Sequence, residues 1–359
     1  MSKSNGVGPG SLVCVTGANG YLGSYVVAEL LRRGYRVRGT VRDPSSDAKT
    51  AHLRALAEAG DATDRLELVR GDLMEPGSFD AAVDGCDGVL HTAAAVFFSA
   101  KDPQRELVDP SVEGTLNVLR SCAQTSSVRR VVHTSSIAAV YSLSSPNGKV
   151  FTEADWNDAD TSTLKVDPYA LAKVSAERAA VEFVAGLPAD RDLDLVHLNP
   201  GMIWGPPMTK QHVKASPRLL RDVVSSVNPG LPRLAMAVVD VRDVAVAHAE
   251  ALARPAASGR YILTADNLWY PEIASRLAAQ FPDVKIVTRQ IPKLLVLLAA
   301  AFDKSLNVRQ LNKLVGLDWR FDGARAVSEL DLSYRPVDDT LRDTAQVLID
   351  EGWARTKKR

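Results

Sequence analysis

The sequence predicts an α/β fold, a doubly wound parallel sheet with a smaller, mostly C-terminal lobe, and three observations lead there. Short β-branched runs alternate with helix-like segments up to about residue 200, the pattern of a parallel sheet with crossover helices on both faces. Several runs are apolar throughout, as in Val13-Cys14-Val15 and Val131-Val132, which suits strands covered on both sides. After Asn199 the order loosens, with Pro200, Pro206, Pro207, Pro217, Pro229 and Pro232 breaking the chain before strand character returns at 260–264.

Strands are expected at 12–16, 35–41, 66–69, 88–91, 130–134 and 193–198. Between the first two, residues 21–33 carry Leu22, Val26, Val27, Leu30 and Leu31 at helical spacing and stop at Gly34, a natural C-cap. The division that follows is a sheet domain over 11–200 with return segments near 236–265, a lobe over 201–235 and 266–350, and a flexible N-terminus at 1–10. The apolar stretch 294–302 is far shorter than the roughly 20 residues a membrane span needs and reads as a buried helix. Lys357-Lys358-Arg359 reads as a solvated chain end.

Composition narrows the function classes. In 359 residues, Lys plus Arg number 43 and Asp plus Glu number 43, so there is no electrostatic footprint for nucleic acid or an anionic membrane. Three widely spaced cysteines, Cys14, Cys86 and Cys122, make neither a disulfide framework nor a CxxC site; a reducing, cytoplasmic setting is expected. The start, Met1 to Gly10, lacks the basic-then-apolar order of a signal peptide. His52, His91, His133, His197, His212 and His248 never fall within five residues of one another, so local metal-ligand spacing is missing and no metal is expected.

The first strand runs into Thr16-Gly17-Ala18-Asn19-Gly20-Tyr21-Leu22-Gly23, glycines at spacing three and three ahead of an amphipathic helix. A turn of this kind sets a helix N-terminus, with free N–H groups and a positive dipole end, against a pyrophosphate. Alone, a glycine triplet is often a plain loop; the strand before and the helix after make it a dinucleotide site. Tyr169 and Lys173 form a second element. Asp167 can serve as N-cap and Pro168 as first helical residue, which places the phenol and the ammonium four apart on one helix face. A Lys ammonium beside a phenol stabilises the phenolate left when the proton is given up, as acid catalysis requires. Thr134-Ser135-Ser136, at the carboxyl end of a strand, forms a third, with a hydroxyl able to donate to a carbonyl oxygen as charge develops. Each element has a bland reading as loop, surface pair or turn. Their order along one chain turns them into a single site.

In that order the chain resembles the extended short-chain dehydrogenase/reductases, within them the dihydroflavonol reductase, cinnamoyl-CoA reductase and aldehyde reductase group. The similarity runs from about residue 13 to 334. It is carried by 15–23, Arg38-Gly39-Thr40-Val41-Arg42-Asp43, Gly71-Asp72-Leu73, His91-Thr92-Ala93, 113–119, Ser135-Ser136, Tyr169 with Lys173, and Asn199-Pro200-Gly201. The resemblance implies that Ser136, last of its hydroxyl run, orients the carbonyl, that Tyr169 protonates the alkoxide, and that Lys173 holds the nicotinamide ribose. It also implies Gly17, Asn19, Gly20, Tyr21, Leu22 and Gly23 at the pyrophosphate, Asp72 and Leu73 at the adenine, Thr92, Ala93 and Ala94 beside the ribose, and Pro200, Gly201, Met202 and Ile203 against the nicotinamide.

The choice of dinucleotide is mixed in the residues themselves. Arg42 follows the second strand directly, while Asp43, 20 residues after Gly23, fits the acid that binds a ribose 2′-OH. In the similar reductases the arginine faces a 2′-phosphate and a lysine seven residues later assists, a place Lys49 fills, so NADP(H) is expected. The function expected is NADPH-dependent reduction of a small-molecule aldehyde or ketone by a monomer or homodimer. Rivals on the same fold are a nucleotide-sugar epimerase/dehydratase, for which Arg233 and Arg242 could supply polar groups, and a 3-beta-hydroxysteroid dehydrogenase-like enzyme; a dinucleotide-sensing binding protein is the rival outside catalysis. Met202, Ile203, Trp204, Met208, Leu231, Leu234 and Met236 are expected to form an apolar pocket wall, and Asp240 to Val244 to brace the lobe. Dihydroflavonol reductases usually carry an asparagine five residues after the serine, where this chain has Tyr141. The segment 165–169 also lacks the aromatic and cysteine residues that mark cinnamoyl-CoA reductases, so smaller or more hydrophobic carbonyls are expected.

Overall fold

The computed structural model describes residues 6–94, 102–302 and 307–357. Its strands are β1 (Leu12–Thr16), β2 (Arg36–Val41), β3 (Leu66–Arg70), β4 (Gly88–His91), β5 (Arg130–Thr134), β6 (Val150–Phe151), β7 (Asp194–Pro200), β8 (Met202–Trp204), β9 (Ala235–Asp240), β10 (Gly259–Leu263), β11 (Asp266–Trp269) and β12 (Arg320–Phe321). Its α-helices are α1 (Tyr21–Arg32), α2 (Asp47–Ala59), α3 (Asp80–Val83), α4 (Asp109–Gln124), α5 (Pro168–Ala185), α6 (Pro217–Val224), α7 (Val241–Ala253), α8 (Tyr270–Gln280), α9 (Lys293–Phe302), α10 (Val308–Leu314), α11 (Ala324–Leu330) and α12 (Val337–Asp350).

Seven strands form one parallel sheet in the order β10-β7-β5-β4-β1-β2-β3. Alternation of side chains explains why the sequence reads as apolar runs. Val13 and Val15 enter a core with Val26, Val27 and Leu30 of α1 and Val244 and Ala247 of α7. Cys14 between them enters another, with Val118, Leu119 and Cys122 of α4 and Ala180 of α5. Both faces are covered, as a doubly wound sheet requires. The chain reverses its winding between β1 and β4, and the crevice at their carboxyl ends is where such sheets bind ligands.

Local signals act as the sequence predicts around α1. Gly34 takes φ +86°, its N–H donates to Leu31 O at 3.0 Å and the Tyr35 N–H to Leu30 O at 3.0 Å, a Schellman closure. The expected flexible N-terminus needs correction: Met1 to Asn5 lie outside the described residues, but Val7 is fully buried and its N–H donates to Leu252 O at 3.0 Å. Of the basic end, Lys358 and Arg359 also lie outside them.

A three-stranded sheet, β11-β9-β8, carries the second core, in which Trp204, Leu220, Val223, Leu231, Ile273, Leu277, Leu341 and Leu348 are buried together. The helix expected to be buried at 294–302 forms as α9, but only Val296 and Ala300 are buried, while Leu294, Leu295, Leu298 and Phe302 are exposed. Its apolar content exceeds one helix face, so a single-sided packing leaves the remainder in solvent. Among the described residues no helix is long and apolar enough to cross a membrane.

Candidate active site

The glycine turn closes β1 onto α1 with no room for side chains. Gly17 takes φ +68°, and a Cβ there would stand 2.9 Å from Ala93 Cα; one on Gly23 would stand 2.2 Å from Gly17 O. Gly20 is the N-cap of α1 and no side chain caps that end. The result is a bare backbone cradle with a helix N-terminus facing it, which fits a dinucleotide pyrophosphate. Tyr21 and Leu22 supply backbone here, since Leu22 packs on the core and the buried Tyr21 hydroxyl donates to Gly205 O at 2.8 Å. Tyr25 donates to Pro206 O at 2.6 Å, and His212 Nε2 donates to Asn19 O at 3.2 Å. Three bonds thus latch the chain after β8 over the glycine turn. Nothing in the sequence pattern pointed to His212.

Arg42 and Lys49 line one cavity of about 240 Å³ together with Asn19, Gly20, Tyr21, Gln211 and His212. Asp43 lines it too, but its Oδ1 accepts the Ser45 hydroxyl at 2.6 Å and the Ser45 N–H at 3.1 Å, bonds that lower its carboxyl below the ordinary value. The acid that suggested a ribose 2′-OH is therefore engaged locally, while Arg42 and Lys49 stand exposed in the same cavity. At the ends of the neighbouring strands, Asp72 Oδ1 accepts the Met74 N–H at 3.0 Å, and Leu73 packs beside Gly114. Thr92 Oγ1 donates to Thr16 O at 2.7 Å and the Ala93 N–H to Thr16 Oγ1 at 3.2 Å; Ala94 is exposed just beyond. Pro200 ends β7, and Gly201 turns the chain into β8 where a Cβ would meet Ala237 O at 2.4 Å. Met202 and Ile203 follow, half-buried.

Ser135 and Ser136 leave the end of β5 in different states. Ser135 is buried and donates to Glu177, whereas Ser136 is half-buried, its Oγ accepting the Ala138 N–H at 3.2 Å. Asn199 Nδ2 holds this loop, donating to Ser136 O at 3.1 Å and Glu177 Oε2 at 2.8 Å. Asp167 caps α5, its Oδ1 accepting the Ala170 N–H at 3.1 Å, so Tyr169 stands in the first turn, 38% exposed, and Lys173 one turn later, half-buried. Glu177 is the next residue but three on this face, and that spacing was the available signal for it. Beneath Lys173, His91 and His133 stack with ring centroids 5.2 Å apart. Burial, with the Lys173 charge contributing, pushes His91 down to about 3 and His133 well below its ordinary value.

The NAD dependent epimerase/dehydratase family matches residues 13–263. The chain belongs to this family. It is 36% identical to cinnamoyl-CoA reductase CAD2 of Medicago truncatula over 99% of each chain. It is 38% identical to a putative anthocyanidin reductase of Ginkgo biloba over 79% of this chain and 84% of that protein. Among solved structures, the Gre2–NADPH complex of Candida albicans superposes with a TM-score of 0.79 at 26% identity, covering 95% of this chain and 99% of that one. Vestitone reductase of alfalfa (Medicago sativa) does so at 0.74 and 26%, covering 96% and 99%.

Against the rest of this epimerase/dehydratase fold, one expectation needs correction. The supposed apolar pocket wall is largely core: Trp204 and Leu231 are buried, and Met202, Leu234 and Met236 pack on the same cluster. Apolar character told only that these residues are covered, and the cover is the second lobe's own interior. Arg233 stacks on Trp269 at 4.1 Å. Arg242 holds Asp240 at 2.7 Å and Asp343 at 3.0 Å, and Arg335 pairs with Asp243, so the 240–244 stretch braces α12. The three cysteines are buried, and desolvation raises each thiol.

Proposed function

We propose that this chain is an NADPH-dependent reductase that converts an aldehyde or ketone to an alcohol, with Tyr169 as general acid, Ser136 orienting the carbonyl and Lys173 holding the nicotinamide ribose. The observation that carries this reading is the division of labour between the two serines. Glu177 engages Ser135, which leaves the half-buried Ser136 hydroxyl for a substrate, with the Tyr169 phenol exposed and Lys173 one turn along the same helix. A bound nicotinamide supplies the hydride. Ser136 donates to the carbonyl oxygen as charge builds there, Tyr169 gives that oxygen its proton, and the ammonium of Lys173 stabilises the phenolate that remains.

Arg42 and Lys49 support NADPH over NADH, since two exposed cations lining one cavity suit a dianionic phosphate, and the similar Gre2 of Candida albicans was solved with NADPH. The engagement of Arg242 with Asp240 and Asp343 leaves it unavailable to a sugar diphosphate and disfavours the nucleotide-sugar reading. Smaller or more hydrophobic carbonyls are favoured because the Tyr141 hydroxyl donates to Asp167 at 2.6 Å, which leaves it no hydrogen to offer a hydroxylated substrate ring. NADPH oxidation across aliphatic, aryl and steroid-like carbonyls, dihydroflavonols and cinnamoyl-CoA tests both points. Turnover of the simple carbonyls is the expected result. A tenfold higher kcat/KM for dihydroflavonols or cinnamoyl-CoA defeats the substrate reading, and binding of NADPH with turnover of nothing in the panel defeats the reductase reading.

A further inference from the structure

Asp167 does more than an N-cap requires. A serine hydroxyl or one carboxylate oxygen is enough to cap a helix, and Oδ1 does so through Ala170. The whole side chain is nevertheless buried, which is costly for a carboxylate unless its remaining lone pairs are met. They are met from two other parts of the chain. Oδ2 accepts the Tyr141 hydroxyl at 2.6 Å, and the side chain of Gln310, on α10 of the second lobe, stands beside the same carboxylate and offsets part of the rise that burial causes.

Both partners are themselves fixed. Tyr141 belongs to the loop that begins at Ser136, and its ring lies 5.3 Å from that of Trp319, which meets Phe151 edge-on at 5.7 Å. Beside Gln310, Asn307 donates from Nδ2 to Lys165 O at 3.0 Å and Val166 O at 3.1 Å while its Oδ1 caps α10. Three elements therefore converge on one carboxylate: the serine loop, the first turn of the helix that carries Tyr169, and the lobe.

We propose that Asp167 is a positioning residue, whose hydrogen bond to Tyr141 sets the distance between Ser136 and Tyr169 and whose contact with Gln310 ties that distance to a docked lobe. The inference rests on Tyr169 being the proton donor. Misplacing a reacting group by about 1 Å costs on the order of 100-fold in rate, so a bond that holds the serine and the tyrosine in register acts on turnover and leaves the cofactor's affinity alone.

The test compares Tyr141→Phe, which removes one oxygen from a half-buried ring, with Asp167→Ser, which retains a capping hydroxyl but cannot reach Tyr141. Kd for NADPH, kcat and KM on the best carbonyl of the panel, and the melting temperature are measured for each, for the double variant and for Tyr169→Phe. Each single variant should lose roughly tenfold to a hundredfold in kcat at unchanged NADPH Kd, and the double variant should lose no more than the worse single. Asp167→Asn, which keeps a cap and a partner for the Tyr141 hydroxyl, should recover most of the kcat. A lower melting temperature with kcat within twofold of wild type, or losses that multiply in the double variant, overturns the proposal. If Asp167→Ser fails to fold, the kcat of Tyr141→Phe decides. Tyr169→Phe separates the two levels: if it turns over normally the acid assignment falls and this inference with it, whereas a dead Tyr169→Phe beside fully active Tyr141→Phe sinks the positioning role alone.

Discussion

Glu177 of α5 and Arg260 of β10 form an ion pair at 2.5 Å with side chains 0% and 8% exposed. Arg260 also donates to Glu153 O at 3.1 Å and Ala139 O at 3.1 Å, and its guanidinium lies 4.0 Å from the Trp156 ring centroid. Glu177 in turn accepts from Ser135 and Asn199. One buried charge pair thus joins the edge strand, the tyrosine helix and the serine loop.

Arg260→Met should therefore destabilise the protein by about 3–5 kcal/mol, because it strands a carboxylate out of water. Urea denaturation at neutral pH measures this. Adding Glu177→Leu to the same chain should return part of the loss, since a pair replaced by apolar groups costs far less than a pair half removed. A larger loss in the double variant than in Arg260→Met would contradict the account.

Tyr169→Phe should lower kcat roughly 100-fold to 10,000-fold with NADPH affinity retained, as the ring stays while the transferable proton goes. Lys173→Ala should weaken both NADPH binding and turnover. Single-turnover rates and fluorescence titration of NADPH separate the two effects, and unchanged affinity in Lys173→Ala would remove the ribose contact from its role.

Arg42→Ala should weaken NADPH binding roughly 10-fold to 150-fold, the worth of one charge-assisted contact of about 1.5–3 kcal/mol, and leave NADH binding nearly unchanged. Isothermal titration with both dinucleotides reads this directly. Tighter binding of NADH than NADPH by the wild type would reverse the assignment and return Asp43 to the ribose.

Sequence reading served best where the signal is local. The β1 run, the helix that ends at Gly34 and the glycine turn each obey a rule that spans a few residues, and the structure reproduces them within a residue or so. It served worst where partners are distant. Glu177 and Arg260 are 83 residues apart, and His133 and His197 are 64 apart yet have ring nitrogens at 3.1 Å. Strand register makes them neighbours, His91 opposite His133 opposite His197, and periodicity says nothing about register. The Met202 to Met236 residues show a third limit, since apolar character reveals that a side chain is covered and not by what.

That histidine row, with His248, should make the fold acid-labile. Burial holds all four below their ordinary value, His91 to about 3 and His248 to about 4, while in the unfolded chain each titrates near 6.5. Below about pH 6.5 the unfolded state therefore binds the extra protons, so stability is full above that pH and falls as pH drops, until the folded-state values are reached. Each such group costs about 1.4 kcal/mol per pH unit across its window. Asp167 and Asp243, whose carboxyls burial raises, act oppositely but only near the carboxylate range. The urea midpoint should fall steadily from pH 7 to pH 5, and a flat midpoint would show that these imidazoles are not kept neutral.

The place of β10 at one end of the sheet has a consequence for how the protein is made. Strands β1 to β4 find partners within the first stretch of chain to leave the ribosome, but β7 keeps an open row of main-chain donors and acceptors until Gly259–Leu263 is synthesised and pairs with it. The same late strand delivers Arg260, the counter-ion of Glu177. Val7 waits as well, for Leu252. An unfinished chain halted before β10 therefore carries the open edge of β7 and an uncompensated carboxylate at once; the completed strand moves that edge to β10, where Glu153 accepts the Ile262 N–H and Arg325 donates to Arg260 O, and brings the counter-ion of Glu177 with it.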